Sequence, residues 1–245
     1  MNNENNGPNH SVTLSIASTS SSSKWSTSPW GYEISSRFII LASTIFPAVG
    51  CYFCIAYTYL FQIHRVINFQ SDHCNGTPTA LPPVSYSIGI WLPQKFFWLA
   101  VLMLHVPPRI IFTNMCQQYY FHAPNNQTSQ PSSAYNVILR IHYYFMHSEM
   151  WALVGVSVMD IEYNFLIHAT FFGIWLGTFN MNMLLNTILH YNSGLMTIGK
   201  KYVYIFRFKL FMFVFGCPFS LSSAASYLFY LHTCEDYGKL ISLYS

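Results

Sequence analysis

From position 38 to position 63 the chain carries 26 residues without a single Asp, Glu, Lys or Arg, and mainly apolar stretches of similar length follow it. At about 1.5 Å of rise per residue, a helix of that length crosses the roughly 30 Å hydrocarbon layer of a bilayer. A soluble core helix seldom needs it. The pattern predicts five spanning helices, at about 38–63, 96–116, 137–159, 165–189 and 210–231. The fold class expected is therefore all-α, a polytopic transmembrane helical bundle. Residues 1–36, rich in Asn and Ser, read as a disordered cytosolic tail with no apolar run long enough for a signal peptide. Residues 37–238 form the membrane domain and 239–245 a short tail.

Composition points the same way, with charged residues at 8% and apolar ones at 52%, against about 25% charged in ordinary soluble domains. A net charge of +3 argues against a nucleic-acid partner, so the placement of each charge matters more than the sum. Cytoplasmic loops of membrane proteins collect Lys and Arg. With the tail in the cytosol, Lys24, Arg37, Arg109, Arg140, Lys200, Lys201, Arg207 and Lys209 share that side, leaving Arg65, Lys95 and Lys239 opposite. The opposite side also receives Asp72, Asp160, Glu162, Glu235, Asp236, Cys74 and Cys234. It is topologically extracellular and permits disulfides, so a Cys74–Cys234 bridge is one expectation and two free thiols the other. Asn75-Gly76-Thr77 on this side matches a glycosylation acceptor, a weak pattern followed directly by Pro78.

Ionisable groups inside spans cost about 2.5–3.5 kcal/mol each on insertion scales and mark functional interiors. Glu149 lies midway along the third span, with His142 on nearly the same face. It reads either as a protonated carboxyl bonded within the bundle or as a substrate-contacting group. Gln94, Trp98, Val101, His105 and Arg109 form one stripe along the second span, where Pro107 and Pro108 predict a kink whose freed carbonyls Arg109 can satisfy. Arg109 reads as a structural residue or a lipid-phosphate contact near the cytosolic third. Gly173 and Gly177, four apart, predict a close helix approach, and Asn180, Asn182 and Asn186 predict interhelical hydrogen bonds. His168 starts the fourth span within reach of Asp160 and Glu162; such a cluster binds a metal, relays a proton or is simply solvated. Gly216-Cys217-Pro218 predicts another irregularity, and Cys51 and Cys54 read as packing residues. No nucleophile elbow, P-loop, zinc-protease motif or dinucleotide fingerprint occurs. Nor is any His followed five residues later by Asp.

The order His73-Cys74, Leu81-Pro82-Pro83-Val84-Ser85, Ile88-Gly89, Pro93-Gln94-Lys95, Trp98, His105 and Pro108-Arg109 resembles the first external loop and second helix of one eukaryotic family. Its members include post-GPI-attachment-to-proteins factor two and the amino-terminal part of a yeast GPI-lipid remodelling protein, with damage-regulated autophagy modulators as distant relatives. Glu149, Glu162, Ile167-His168 and Cys234-Glu235 continue the likeness, which covers about residues 37–238. The resemblance implies a multi-pass protein of the Golgi or endoplasmic-reticulum membrane that remodels GPI anchors, linked to installing a saturated fatty acid on lyso-GPI. Expected partners are membrane lipids and GPI-anchored proteins. No resident cofactor or metal is expected, acyl-CoA or a phospholipid serving as acyl donor. Catalysis, on this reading, falls to His168 with Glu162 as base near the head groups, and to Glu149 and His105 deeper in. A non-enzymatic accessory or sorting role is the rival, ahead of a small transporter. This chain departs from its relatives in Val106-Pro107, in Lys95 where Arg is usual, and in ending at Ser245 where relatives continue into another apolar helix. A truncated bundle is therefore expected.

Overall fold

The computed structural model describes residues 36–69, 84–126 and 133–244, with side chains up to residue 233 apart from 227, 230 and 231. Cys74, Asn75 and the Cys234 side chain lie outside them, and with them the expected disulfide and glycosylation site. The described residues form helices and turns only. Four long helices come first: α1 (Ser36–Phe61), α4 (Gln94–Phe121), α5 (Ser133–Val158) and α6 (Phe165–Asn192). Short ones sit between or after them: α2 (Ile63–Ile67), α3 (Val84–Gly89) and α7 (Leu195–Ile198). The chain then runs through α8 (Lys200–Phe211), a π-helical turn (Met212–Gly216) and α9 (Cys217–Tyr244).

Lipid as solvent explains the inverted distribution of side chains. Phe38, Leu60, Met103, Leu166, Phe208 and Phe219 point outward with most of their surface exposed, while Gln94, His105, His142, His168, Asn180 and Asn182 are buried. In water the reverse holds. Hydroxyls inside the helices are capped locally: Thr58, Thr113, Ser157, Thr178 and Thr187 each donate to the carbonyl four residues earlier at 2.7–2.9 Å. Each of these five hydroxyls is thereby paired within its own helix. The protein is a multi-pass membrane bundle.

By length and composition α1, α4 and the stretch Lys200–Ser226 qualify as membrane spans. Two of the five expected spans, α5 and α6, match them in length at 26 and 28 residues but lack a stretch of comparable hydropathy. The difference has a physical cause, because α5 carries Arg140, His142, His147 and Glu149, and α6 carries His168 and its asparagines, with Glu149 and Asn182 meeting between the two helices. Antiparallel packing follows from contacts that join opposite helix ends. Thr58, late in α1, meets Gln94, the first residue of α4, and Trp98, early in α4, meets Ser157, late in α5.

Helix ends are set by local chemistry. Asn164 caps α6 by accepting from the Ile167 backbone N–H at 3.1 Å. At the other end Gly194 adopts φ +75° directly against Asn125, a conformation that favours glycine. The expected break at Gly216-Cys217-Pro218 takes the form of the π turn just before it, which accommodates the donor missing at Pro218. By contrast α4 runs unbroken through Pro107 and Pro108.

The Gly173/Gly177 expectation is corrected. A Cβ at either position meets nothing within 4 Å, so neither glycine brings two helices of this chain together. Other glycines do so. A Cβ at Gly50 would lie 2.7 Å from Val101 of α4, and one at Gly155 would overlap the Phe171 ring of α6. Gly155→Ala is accordingly expected to lower stability by about 1–3 kcal/mol through overpacking, whereas Gly173→Ala is expected to change it little. Thermal unfolding of both variants in detergent checks the contrast; equal melting temperatures would contradict it.

Candidate functional site

The stripe on α4 faces inward, and each residue on it meets a different partner. Gln94 lies 3.0 Å from the Thr58 hydroxyl of α1, Trp98 Nε1 donates to Ser157 Oγ of α5 at 3.0 Å, and Val101 packs on Gly50. His105 is buried against the Ala42 backbone of α1, with its Nδ1 unpartnered among the described residues. That position makes His105 part of the α1–α4 packing.

Arg109 pairs with Glu149 at 3.0 Å, each side chain only 13% exposed, and Asn182 of α6 donates to the same carboxylate oxygen. Three helices are thereby pinned at one point. Two expectations change. Glu149 faces the guanidinium directly, and Arg109 turns to it and not to carbonyls freed by the prolines. Because α4 continues to Phe121, Arg109 lies near the middle of its helix and not in an outer third. His142, expected on the Glu149 face, is buried edge-on against the Tyr120 ring.

A second polar knot went unforeseen. Lys209 Nζ donates to Tyr120 Oη at 2.7 Å and to Asn186 Oδ1 at 2.8 Å, and lies 3.4 Å from His190 Nδ1. Its charge looks in sequence like one more cytosolic flank. Neutral oxygens instead draw it into the bundle, where it joins α8 to α4 and α6. The three asparagines do join helices: Asn180 accepts from Ser220 of α9, while Asn182 and Asn186 serve the two clusters just described.

At the opposite end, where α3, α5 and α6 meet, His168 is 7% exposed. Its Nδ1 lies 2.7 Å from the Met159 carbonyl and its Nε2 lies 3.0 Å from Ser85 Oγ. A carbonyl only accepts, so Nδ1 donates to it, while the Ser85 hydroxyl can donate to Nε2. The ring is thus held with Nε2 directed at the serine hydroxyl. Both ring nitrogens are engaged by neutral groups, and the Asp160 carboxylate is not among their hydrogen-bond partners. Asp160 instead binds Lys95 at 3.1 Å, linking α4 to the loop before α6. Among the described residues no three His, Cys, Asp or Glu side chains gather as a metal site. Glu162 lines a neighbouring cavity of about 430 Å³ with His64, Arg65, Asn68, Phe69, Tyr86 and Trp91. Ser85 immediately precedes Tyr86 of that cavity, and sequence reasoning gave it no role; the only signal was its place in the loop pattern.

The family described as Frag1/DRAM/Sfk1/Cwh43P N-terminal domain matches residues 35–244, nearly the whole chain. The chain belongs to this family. Among curated relatives, "Acyltransferase PGAP2" of Xenopus tropicalis is 25% identical over 196 residues, covering 77% of this chain and 71% of the relative. "Post-GPI attachment to proteins factor 2" of Drosophila pseudoobscura pseudoobscura is 33% identical over 82 residues, 34% of this chain and 31% of the relative. The chain thus aligns with about a third of the Drosophila protein's length. "Post-GPI attachment to proteins factor 2-like" of Drosophila melanogaster is 26% identical over 145 residues, 58% of this chain and 42% of that relative. No solved structure matches the chain. Within the Frag1/DRAM/Sfk1 fold seen here, residues far apart in sequence find one another: Arg109 meets Glu149, and Ser85 meets His168.

Proposed function

We propose that this chain remodels the lipid of GPI anchors in the secretory pathway, transferring a saturated fatty acyl group to lyso-GPI in the Golgi or endoplasmic-reticulum membrane. The observation that carries the reading is His168, held with Nε2 toward a hydroxyl at one end of a membrane bundle whose relatives are named for GPI attachment and acyl transfer. Acyl transfer to a lyso-lipid needs a base to take the hydroxyl proton, and an imidazole with an unprotonated Nε2 is suited to it. The cavity beside it offers Arg65 and His64 for a phosphate and Trp91, Tyr86 and Phe69 for the flat faces of sugars, with Asn68 and Glu162 for hydroxyls. The count of basic residues puts Lys200 and Lys201 in the cytosol and this cavity in the lumen, the side on which anchors carry their protein.

Roles for the other candidates follow. Arg109, Glu149 and Asn182 hold the helices in register and supply no proton to the reaction, and His105 serves packing. The test is the purified full chain in lipid nanodiscs with lyso-GPI and an acyl donor, offered either as phosphatidylcholine or as acyl-CoA. Diacylated GPI is expected to form. If none forms while the chain still binds lyso-GPI, the protein is a non-enzymatic accessory that presents anchors to another acyltransferase.

A further inference from the structure

We propose that Ser85 is a catalytic nucleophile that carries the fatty acyl group as a covalent ester between donor and acceptor, with His168 moving the proton in both halves. This rests on the acyl-transfer reading above. Three groups stand in the order such chemistry requires: a hydroxyl, a base bonded to it, and a third group that orients the base. Here they are Ser85 Oγ, His168 with Nε2 at 3.0 Å, and the Met159 carbonyl at 2.7 Å from Nδ1. The orienting group in serine hydrolases is usually a carboxylate, whose charge also stabilises the imidazolium. A backbone carbonyl fixes the tautomer but adds only a partial charge, so a slower dyad is expected. Ser85 is partly exposed, which leaves its oxygen within reach of a substrate, whereas the imidazole behind it is buried.

The steps balance. In the first half Ser85 Oγ attacks the carbonyl carbon of an activated fatty acyl ester, whether oxygen ester or thioester, and its proton passes to His168 Nε2. The bond to the lysophospholipid oxygen or the CoA sulfur breaks, and that leaving group takes the proton from His168. In the second half the lyso-lipid hydroxyl attacks the Ser85 ester while His168 Nε2 accepts its proton. Ser85 then leaves and regains a proton from the same nitrogen, with no change in oxidation state.

A two-step path predicts that the donor alone loads the protein. The purified full chain in nanodiscs is incubated without lyso-acceptor, once with dipalmitoyl phosphatidylcholine and once with palmitoyl-CoA, then acid-quenched for peptide mass spectrometry. A palmitoyl ester on the peptide holding Ser85 is expected in one arm, and that arm identifies the donor class. Ser85→Ala is expected to lose the adduct and at least 100-fold of the transfer rate. Ser85→Cys is expected to trap a thioester that neutral hydroxylamine releases, which shows that the altered site still folds and loads. Should wild type acylate lyso-GPI while Ser85 stays unloaded with both donors, or should Ser85→Ala transfer at the wild-type rate, the covalent path is overturned and direct transfer stands. Should wild type neither load nor transfer, the acyl-transfer reading falls with it.

Discussion

Glu149→Ala is expected to cost the bundle about 3–5 kcal/mol, because it strands the Arg109 guanidinium inside the bundle without a counter-charge. Asn182 is stranded with it, since its amide donates to the same carboxylate. Arg109→Ala should be nearly as damaging, leaving a carboxylate in the same place. Replacing both by Met restores most of the loss, because a buried ion pair and a pair of apolar side chains of similar volume differ little in net stability. Thermal unfolding in detergent, read beside the yield of monodisperse protein, measures all four states. If each single variant melts with wild type, Arg109 and Glu149 do not face each other in the membrane. Glu149→Gln keeps a partner for Asn182 but not the charge, so it should fall between wild type and Glu149→Ala.

The second large effect concerns His168. General-base catalysis contributes roughly 10²–10⁴-fold, so His168→Ala is expected to lower kcat for acyl transfer to lyso-GPI by that order with a smaller change in KM. His168→Gln retains a group able to bond both Ser85 and the Met159 carbonyl, and it should fold better than His168→Ala yet remain as inactive. Catalysis and scaffolding are separated by this pair: a structural His168 would give a Gln variant with recovered activity. Glu162→Gln, with its carboxylate lining the cavity and both His168 nitrogens engaged elsewhere, is expected to change KM more than kcat.

The long helices were legible because lipid selects on a simple quantity, the length of an apolar run. Their limits were less so. The span expected to begin at 210 belongs to a helical run that starts at Lys200, within which Lys209 is drawn inward by Tyr120 and Asn186. Spacing along one helix told which residues share a face, and Gln94, Trp98, His105 and Arg109 do. It could not tell what stands opposite. Arg109 and Glu149 are 40 residues apart and Ser85 and His168 are 83 apart, and such pairings are fixed only by how helices pack. The small-residue motif was misleading for the same reason: Gly173 and Gly177 have the right spacing, but an added Cβ there meets nothing within 4 Å among the described residues, while Gly50 and Gly155, each alone, sit at real contacts. His168 was picked out as a base from its place before a span, but its hydrogen-bond partners could not be read from that place. Asp160 and Glu162 are near neighbours along the chain, whereas Ser85 and the Met159 carbonyl are the atoms that its ring reaches.

The most direct measurement of the central claim is the fatty-acid composition of GPI anchors in cells that lack their own lyso-GPI acylation and express this chain. Saturated diacyl anchors restored by wild type but not by His168→Gln at equal expression are the predicted result. Anchors that stay in the lyso form with wild type, or that are restored equally well by His168→Gln, would contradict the account.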